Sequence, residues 1–532
     1  MPWWSVCAAN DMSLSSTAFL IFLAGALLVY YLTPLRFRWI VLLLASGVFY
    51  LSYSPAAAVY LCGTIAMTYG AARWLEALHR KEKERLAGVE RGERPAVKKK
   101  GMKQRRRVLA AALCLNFLTL AVFKYLDWLL SGVNSLIALT GSGFSFRPLD
   151  LLLPLGLSFY IFQTSGYLID VYRGKVQAEH NVFKYALFAA YFPQMIQGPI
   201  HRYQELQPRL FAEHPFRAEN LRDGIELMLW GMLKKVLIAD TLAAGVAELY
   251  GNYAAYNGIV VFFGAALYCL QLYCDFSGGI DIVRGVSTMF GIELGVNFRR
   301  PYFATSVDDF WRRWHISLGE WMKDYVFYPL ALSRWLPRFC KRFRKHLGQR
   351  VGKLLVPCIS TVVVFLLVGI WQGPGLQNIA YGLWNGLLMS GAMLCAPLFE
   401  KWEHNGRLMH VFRILRTCFL VTIGRFFSRA DSLVSAWGML RHSFTHCLWN
   451  LSPGAFLSFG LDLRGYLTVF LAGLVLFFVS YRQEKGVHIR QSLAQKKPVV
   501  QFFVLLAAVL IVMAAVYLNG DYTAIAYVYE SV

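Results

Sequence analysis

The sequence runs to 532 residues, 57% of them hydrophobic and only 16% charged, with a formal net charge of +23. Its apolar residues fall in long runs rather than in amphipathic periods, which excludes a soluble enzyme and gives the fold class as all-α, a polytopic integral membrane protein. The ten cysteines lack a CxxC pair and read as small buried hydrophobes, and no phosphate-cradling GxxxxGK[ST] loop occurs. His442 and His446 lack the Glu of a zinc-protease helix, so no metal site is expected.

A spanning helix needs about 20 predominantly apolar residues. In chain order the candidate runs are Leu14–Leu32, Ile40–Tyr53, Ala56–Trp74, Val108–Leu130, Leu151–Ile169, Phe183–Ile196, Gly224–Val246, Ile259–Tyr273, Leu354–Trp371, Ile379–Leu398, Val411–Phe426, Tyr466–Tyr481 and Val500–Leu518. Several are short or interrupted by Gly, Pro or charge, so roughly 10–14 spanning or re-entrant helices are expected. They form one integral domain over residues 1–532, with a mobile basic loop at 76–107 as the single long insertion. No internal repeat is visible, which counts against an ordinary secondary transporter. No basic region precedes the first run, as a cleavable signal peptide would require.

The charge orients the chain. His79–Arg107 is the largest basic block, followed by Arg334–Lys353 and Arg482–Lys497, and the positive-inside rule makes all three cytoplasmic. Counting outward from them places the N-terminus and the acidic tail Asn519–Val532 outside, which needs an even number of crossings; the short Phe183–Ile196 is the run expected not to cross. Topology and anionic lipid explain these basic loops without nucleic acid.

Polar clusters interrupt the spans: Leu153–Tyr160 leading through Gln163 to Asp170–Gly174, Tyr191–Gln194 with Gln197–Arg202, Lys234 and Lys235 with Asp240, and Asp275–Gly278 with Asp281. Together they point to a water-accessible polar cavity. The densest cluster is Asp308-Asp309-Phe310-Trp311-Arg312-Arg313-Trp314-His315, after Ser306 as a capping residue. Helical spacing puts Trp311, Trp314, Leu318 and Trp321 on one face and Asp308, Arg312, His315 and Gly319 on another, predicting an amphipathic interface helix with His315 directed to a polar interior. Cys274 gives no sign of an activated thiolate, and His201 reads as an interface residue.

The ordered motifs LPLGLSFYIFQTSGYLIDVYRGK (153–175), YFPQMIQGPIHR (191–202), LKKVLIAD (233–240), DFSGGID (275–281), NFRRPYFATSVDDFWRRWHISLGEWMKDYVFYPL (297–330), GIWQGPGLQNIAYGLWNG (369–386) and RFFSRADSLVSA (425–436) resemble the membrane-bound O-acyltransferase family. The nearest likeness is to its bacterial branch, which holds alginate O-acetylation and D-alanyl-lipoteichoic acid membrane proteins. The resemblance implies a cone of helices around a central tunnel, a cytoplasmic thioester donor (coenzyme A or a carrier protein) and a hydroxyl acceptor outside. It makes His315 a catalytic residue and gives Asp308, Asp309, Trp311, Arg312, Arg313, Trp314, Asn385 and Gln194 substrate-binding places, with Tyr191 and Gln197 beside Gln194. Arg299, Arg300, Arg312 and Arg313, with Lys234 and Lys235, are expected to meet donor phosphates or anionic lipid.

One departure stands out. The family's later WHG histidine, usually assigned as the base, is Gln372 in Trp371-Gln372-Gly373, and a nearby echo reads Trp384-Asn385-Gly386. A primary amide donates a hydrogen bond to a thioester carbonyl but does not take a proton near neutral pH. The expected function is acyl transfer, acetyl by default, to a cell-surface glycan or to an extracellular esterase-like partner, with no bound cofactor and with His315 as base or acid. The alternatives are a catalytically degenerate acyl-channel or scaffold subunit, and a transporter or lipid-binding protein that kept the tunnel.

Overall fold

The computed structural model describes residues 13–14, 16–141, 143–149, 151, 153–400, 406–446, 453–457 and 460–518. Among them the regular elements are helices throughout, and seven are long and apolar enough to cross a membrane. The first twelve residues and the tail Asn519–Val532, whose side was read from charge, lie outside the described residues. Contacts divide the chain into two compact units, residues up to Gly224 with Val286–Gly295, and Ile225–Gly285 with Val296 onward.

The first unit contains α1 (Thr17–Leu32), α2 (Arg38–Tyr53), α3 (Pro55–Ala87), α4 (Arg94–Ala138), α5 (Leu157–Tyr172) and α6 (Val182–Ala190). Ser16, Ser54 and Asn181 open α1, α3 and α6 by accepting backbone N–H groups of the first turn. α5 starts at Leu157 rather than Leu151, because Gly156 stands at φ 67° and a Cβ there would collide with the Met195 carbonyl. α6 has nine residues, about 14 Å of helix, and breaks at Tyr191; this is under half of the roughly 30 Å hydrocarbon layer, in keeping with a run that does not cross.

The expected mobile loop at 76–107 is instead a helical hairpin. α3 continues to Ala87 and α4 starts at Arg94, so only six residues connect them. The reason is local: Glu, Lys, Arg and Leu are strong helix formers, and Pro95 sits in the first turn of α4 where its missing N–H costs nothing. Arg105 pairs with Glu82 at 3.1 Å across the hairpin, both side chains largely buried, and Gly101 makes room for the Glu82 carboxylate.

α7 (Ala218–Leu233) leads into the second unit through a π-helical turn, Lys234–Asp240, to α8 (Thr241–Gly251), followed by α9 (Gly258–Met289). Gly231 and Gly278 bring α7 and α9 together, since a Cβ on Gly231 would press on the Gly278 carbonyl. That approach lets Lys235 bridge Asp275 at 2.7 Å and Asp240 at 2.9 Å, while Lys234 pairs with Asp281 at 2.7 Å and donates to Ser277 at 2.9 Å. Both ammonium groups are buried in these pairs, so Lys234 and Lys235 hold helices rather than donor phosphates. The unit continues with two short helices, α10 (Val307–Arg313) and α11 (Ile316–Met322), then α12 (Trp335–Gln372), α13 (Leu376–Glu400), α14 (Arg407–Arg429), α15 (Leu433–Thr445), α16 (Leu463–Glu484) and α17 (Pro498–Leu518). α12 kinks at Gly348, where its basic first segment gives way to the apolar one.

Candidate active site around His315

Ser306 caps α10 as expected, accepting the Asp309 N–H at 3.1 Å, and Asp309 reaches back to the Thr305 N–H at 3.2 Å. The helix does not run on through His315. Trp314 is extended at φ −103° and ψ 127°, and His315 adopts the left-handed conformation at φ 45° before α11 begins. A non-glycine residue held there costs on the order of 1–3 kcal/mol, and such strain collects at functional sites. An extended strip before Pro301 pins the corner: Arg299 N–H donates to the Arg313 carbonyl at 2.9 Å and Ile316 N–H to the Asn297 carbonyl at 3.0 Å.

The side chain of Asn297 completes this clamp. Its Oδ1 accepts the Ser317 N–H at 2.9 Å, and its Nδ2 lies 3.2 Å from His315 Nδ1. A backbone N–H can only donate, so the amide oxygen must face Ser317 and the amide nitrogen must face the ring. Nδ1 therefore accepts, and the neutral imidazole carries its proton on Nε2. Both residues are buried, Asn297 fully and His315 to 2% exposure. His315 belongs to no spanning helix, and burial pushes its imidazole down to about 3, which keeps the ring neutral. Phe276 packs edge-on at 4.8 Å between ring centroids, and Trp371 stands at 6.0 Å. Half-buried Gln372 follows Trp371 as the last residue of α12.

The break at His315 overturns the expected helical faces. Asp308 and Arg312 pair with each other on an exposed surface, away from the buried imidazole. Asp309 and Arg313 pair at 2.9 Å, and Arg313 also reaches Glu484 at 2.9 Å, where Arg300 joins it at 2.5 Å. Asp309, Arg313 and Glu484 therefore lock α10 to the end of α16, and carboxylates already occupy Arg300, Arg312 and Arg313, three of the four arginines expected to greet an anionic donor. Trp314 is buried at 2%, and half-buried Trp311 donates its indole N–H to Asn385 Oδ1 at 3.1 Å. Asn385 in turn donates to the Tyr381 carbonyl at 2.9 Å, so it ties α13 to α10. Gln194 lies in the first unit, buried, with its amide donated to Gln163 at 2.9 Å; Tyr191 in that unit bonds Ser287 at 2.9 Å.

Comparison with known proteins places the whole chain in a family. The family model described as MBOAT, membrane-bound O-acyltransferase family, matches residues 173–343, a stretch that contains Asn297 and His315. A Pseudomonas aeruginosa protein named "Probable alginate O-acetylase AlgI" is 32% identical over 89% of this chain and 82% of its own length. The chain belongs to the membrane-bound O-acyltransferase family. Two further relatives of this acyltransferase are the peptidoglycan O-acetyltransferase of Helicobacter pylori, 30% identical over 63% of the chain and 64% of the relative, and the teichoic acid D-alanyltransferase of Bacillus subtilis, 28% identical over 48% and 62%. The protein is thus a multi-pass membrane O-acyltransferase.

Two residues of this O-acyltransferase escaped the sequence reading. Asn297 stands eighteen positions before His315 and is recognisable only from the paired strip. Arg425 on α14 is 1% exposed, under the Trp314 ring with its guanidinium carbon 5.0 Å from the ring centroid. Its signal was in the sequence, a charge inside the apolar run Val411–Phe426.

Proposed function

We propose that this enzyme moves an acetyl group from a cytoplasmic thioester, on coenzyme A or a carrier protein, across the membrane to a hydroxyl of an envelope polysaccharide or to an extracellular partner that passes it on. Acetyl and polysaccharide rest on the names of the alginate and peptidoglycan relatives. The observation that carries the chemistry is the buried His315 ring, held by Asn297 with its proton on Nε2. In that tautomer the ring's one lone pair faces Asn297, so the imidazole serves as a hydrogen-bond donor. Aimed at the thioester carbonyl, a preorganised donor in a water-poor site stabilises the oxyanion that forms as the hydroxyl oxygen attacks. The new C–O bond forms, the C–S bond breaks, and the hydroxyl proton ends on the departing thiolate. Gln372, beside Trp371, is the second donor for the same oxygen, which accounts for an amide where relatives of the WHG type have a base.

The test is acetyl transfer by the purified protein with acetyl-CoA, using wild type, His315→Ala and Gln372→His. Loss of one oxyanion donor costs about 10²–10³ in kcat, so His315→Ala is expected to fall at least that far while wild type turns over. An inactive wild type that gains turnover on Gln372→His would instead identify a degenerate scaffold or channel subunit.

A further inference from the structure

Arg425 poses a physical problem that acyl transfer alone does not solve. Its Nη1 donates to the Tyr381 hydroxyl at 3.2 Å, and its guanidinium carbon lies 5.0 Å from the Trp314 ring centroid and 5.8 Å from that of Tyr381. Nε and Nη2, however, are buried without a hydrogen-bond partner among the described residues, and no described carboxylate forms an ion pair with the group. A buried charge missing its counterion costs several kcal/mol, and ring faces return only about 2 kcal/mol when desolvated. The unpartnered atoms are not a random pair. Nε–H and one N–H of Nη2 point the same way from one edge of the planar guanidinium, with the spacing of the two oxygens of a carboxylate or phosphate.

We propose that the Nε/Nη2 edge of Arg425 is a binding site for an oxyanion of the substrate, with Trp314 and Tyr381 as its aromatic walls. Trp314 precedes His315 directly, so an anion seated on Arg425 is held one residue along the chain from the imidazole. Two substrates can bring such a group: a carboxylate-bearing sugar acceptor, or the phosphates of a coenzyme A thioester. The proposal rests on the acyl-transfer reading for the identity of the ligand, but its test does not need turnover.

The experiment measures thermal unfolding and binding of the purified full-length protein in detergent, with four probes. A uronate oligosaccharide is compared with its carboxyl-reduced counterpart, and acetyl-CoA with S-acetyl-N-acetylcysteamine, a thioester without phosphates. One charged probe is expected to raise the unfolding midpoint while its neutral counterpart does not, and which of them does so identifies the source. Arg425→Gln is expected to weaken that binding about 10- to 100-fold, the usual range for a lost hydrogen bond to a charged group, and Arg425→Lys, which keeps the charge without the fork, to restore only part of it. In the ligand-free protein Arg425→Met is expected to unfold at the same temperature or higher, because it removes an uncompensated charge. If Arg425→Met unfolds early, the residue is structural and the proposal falls. It falls equally if neither charged probe shifts wild type, or if Arg425→Gln keeps the shift. Arg425-dependent binding in a protein that never transfers acetyl would leave the site standing and overturn only the acyl-transfer reading.

Discussion

At the scale of single residues, the contact between Asn297 and His315 decides what the imidazole can do. Asn297→Asp keeps an oxygen for the Ser317 N–H, so the corner stays capped, but replaces the amide donor by a carboxylate that draws a proton onto Nδ1. In the neutral variant ring Nε2 then bears a lone pair, and no N–H remains there to donate. The new carboxylate also favours the charged ring and raises its pKa, and the imidazolium recovers an Nε2–H. The sign follows: a donor role predicts that Asn297→Asp is active at acid pH and loses activity as pH rises through the raised imidazole pKa. A base role predicts the reverse limb, with activity lost on acidification. Wild type, whose ring burial keeps neutral, shows neither limb from this group. The pH profile of kcat for the variant separates the two. His315 itself was legible in the sequence because a histidine among tryptophans and arginines is conspicuous. Asn297 was not, since an asparagine before Phe298 acquires meaning only from what folds against it, and Arg425 left a single trace, a charge inside an apolar run.

At the scale of elements, the places where sequence and structure part have common causes. The spans were legible from apolar run length, and α2, α4, α9, α12, α13, α16 and α17 all cover runs read that way. The continuous helix through His315 was wrong because side-chain periodicity carries no term for backbone pairing with a strip eighteen residues away. The mobile loop at 76–107 was wrong for a related reason: high charge suggests disorder, yet Glu82 and Arg105 neutralise each other where Gly101 lets α3 and α4 meet. Polar residues in the π-helical turn were likewise read toward ligands, although Lys235 is committed to two carboxylates at 1% exposure. Lys235→Met leaves Asp240 and Asp275 buried without their shared cation, an arrangement that typically costs about 3–5 kcal/mol. The expected result is a large drop in the unfolding midpoint of the detergent-solubilised protein, partly recovered in Lys235→Met with Asp275→Asn. A single variant as stable as wild type would mean that water, not Lys235, compensates those carboxylates.

At the scale of the whole molecule, length and charge together predict an orientation. α4 has 45 residues, about 68 Å of helix, more than twice the roughly 30 Å hydrocarbon layer. Its apolar portion from Val108 to Leu130 fills that layer, which leaves the segment from Arg94 to Arg107 to extend about 21 Å into water. The positive-inside rule predicts that this water is cytoplasmic, and it predicts the same for Arg482–Lys497 after α16. Glu484, at the end of α16, holds Arg300 and Arg313, so the strip and α10 that frame His315 are tethered to the basic end of a spanning helix. If the donor is the cytoplasmic thioester proposed above, this orientation predicts that it reaches the imidazole from the side on which it is made. Single cysteines at Lys98 and at Gln491 report the geometry directly, with the unsubstituted protein as the control for its own exposed Cys62 and Cys114. A membrane-impermeant maleimide is expected to label both new sites in inverted vesicles and neither in intact spheroplasts. Labelling of Lys98→Cys from outside would reverse the hairpin and the charge reading on which it rests. Labelling of Gln491→Cys from outside would put the tether of His315 on the far face and require the donor to cross before it reacts.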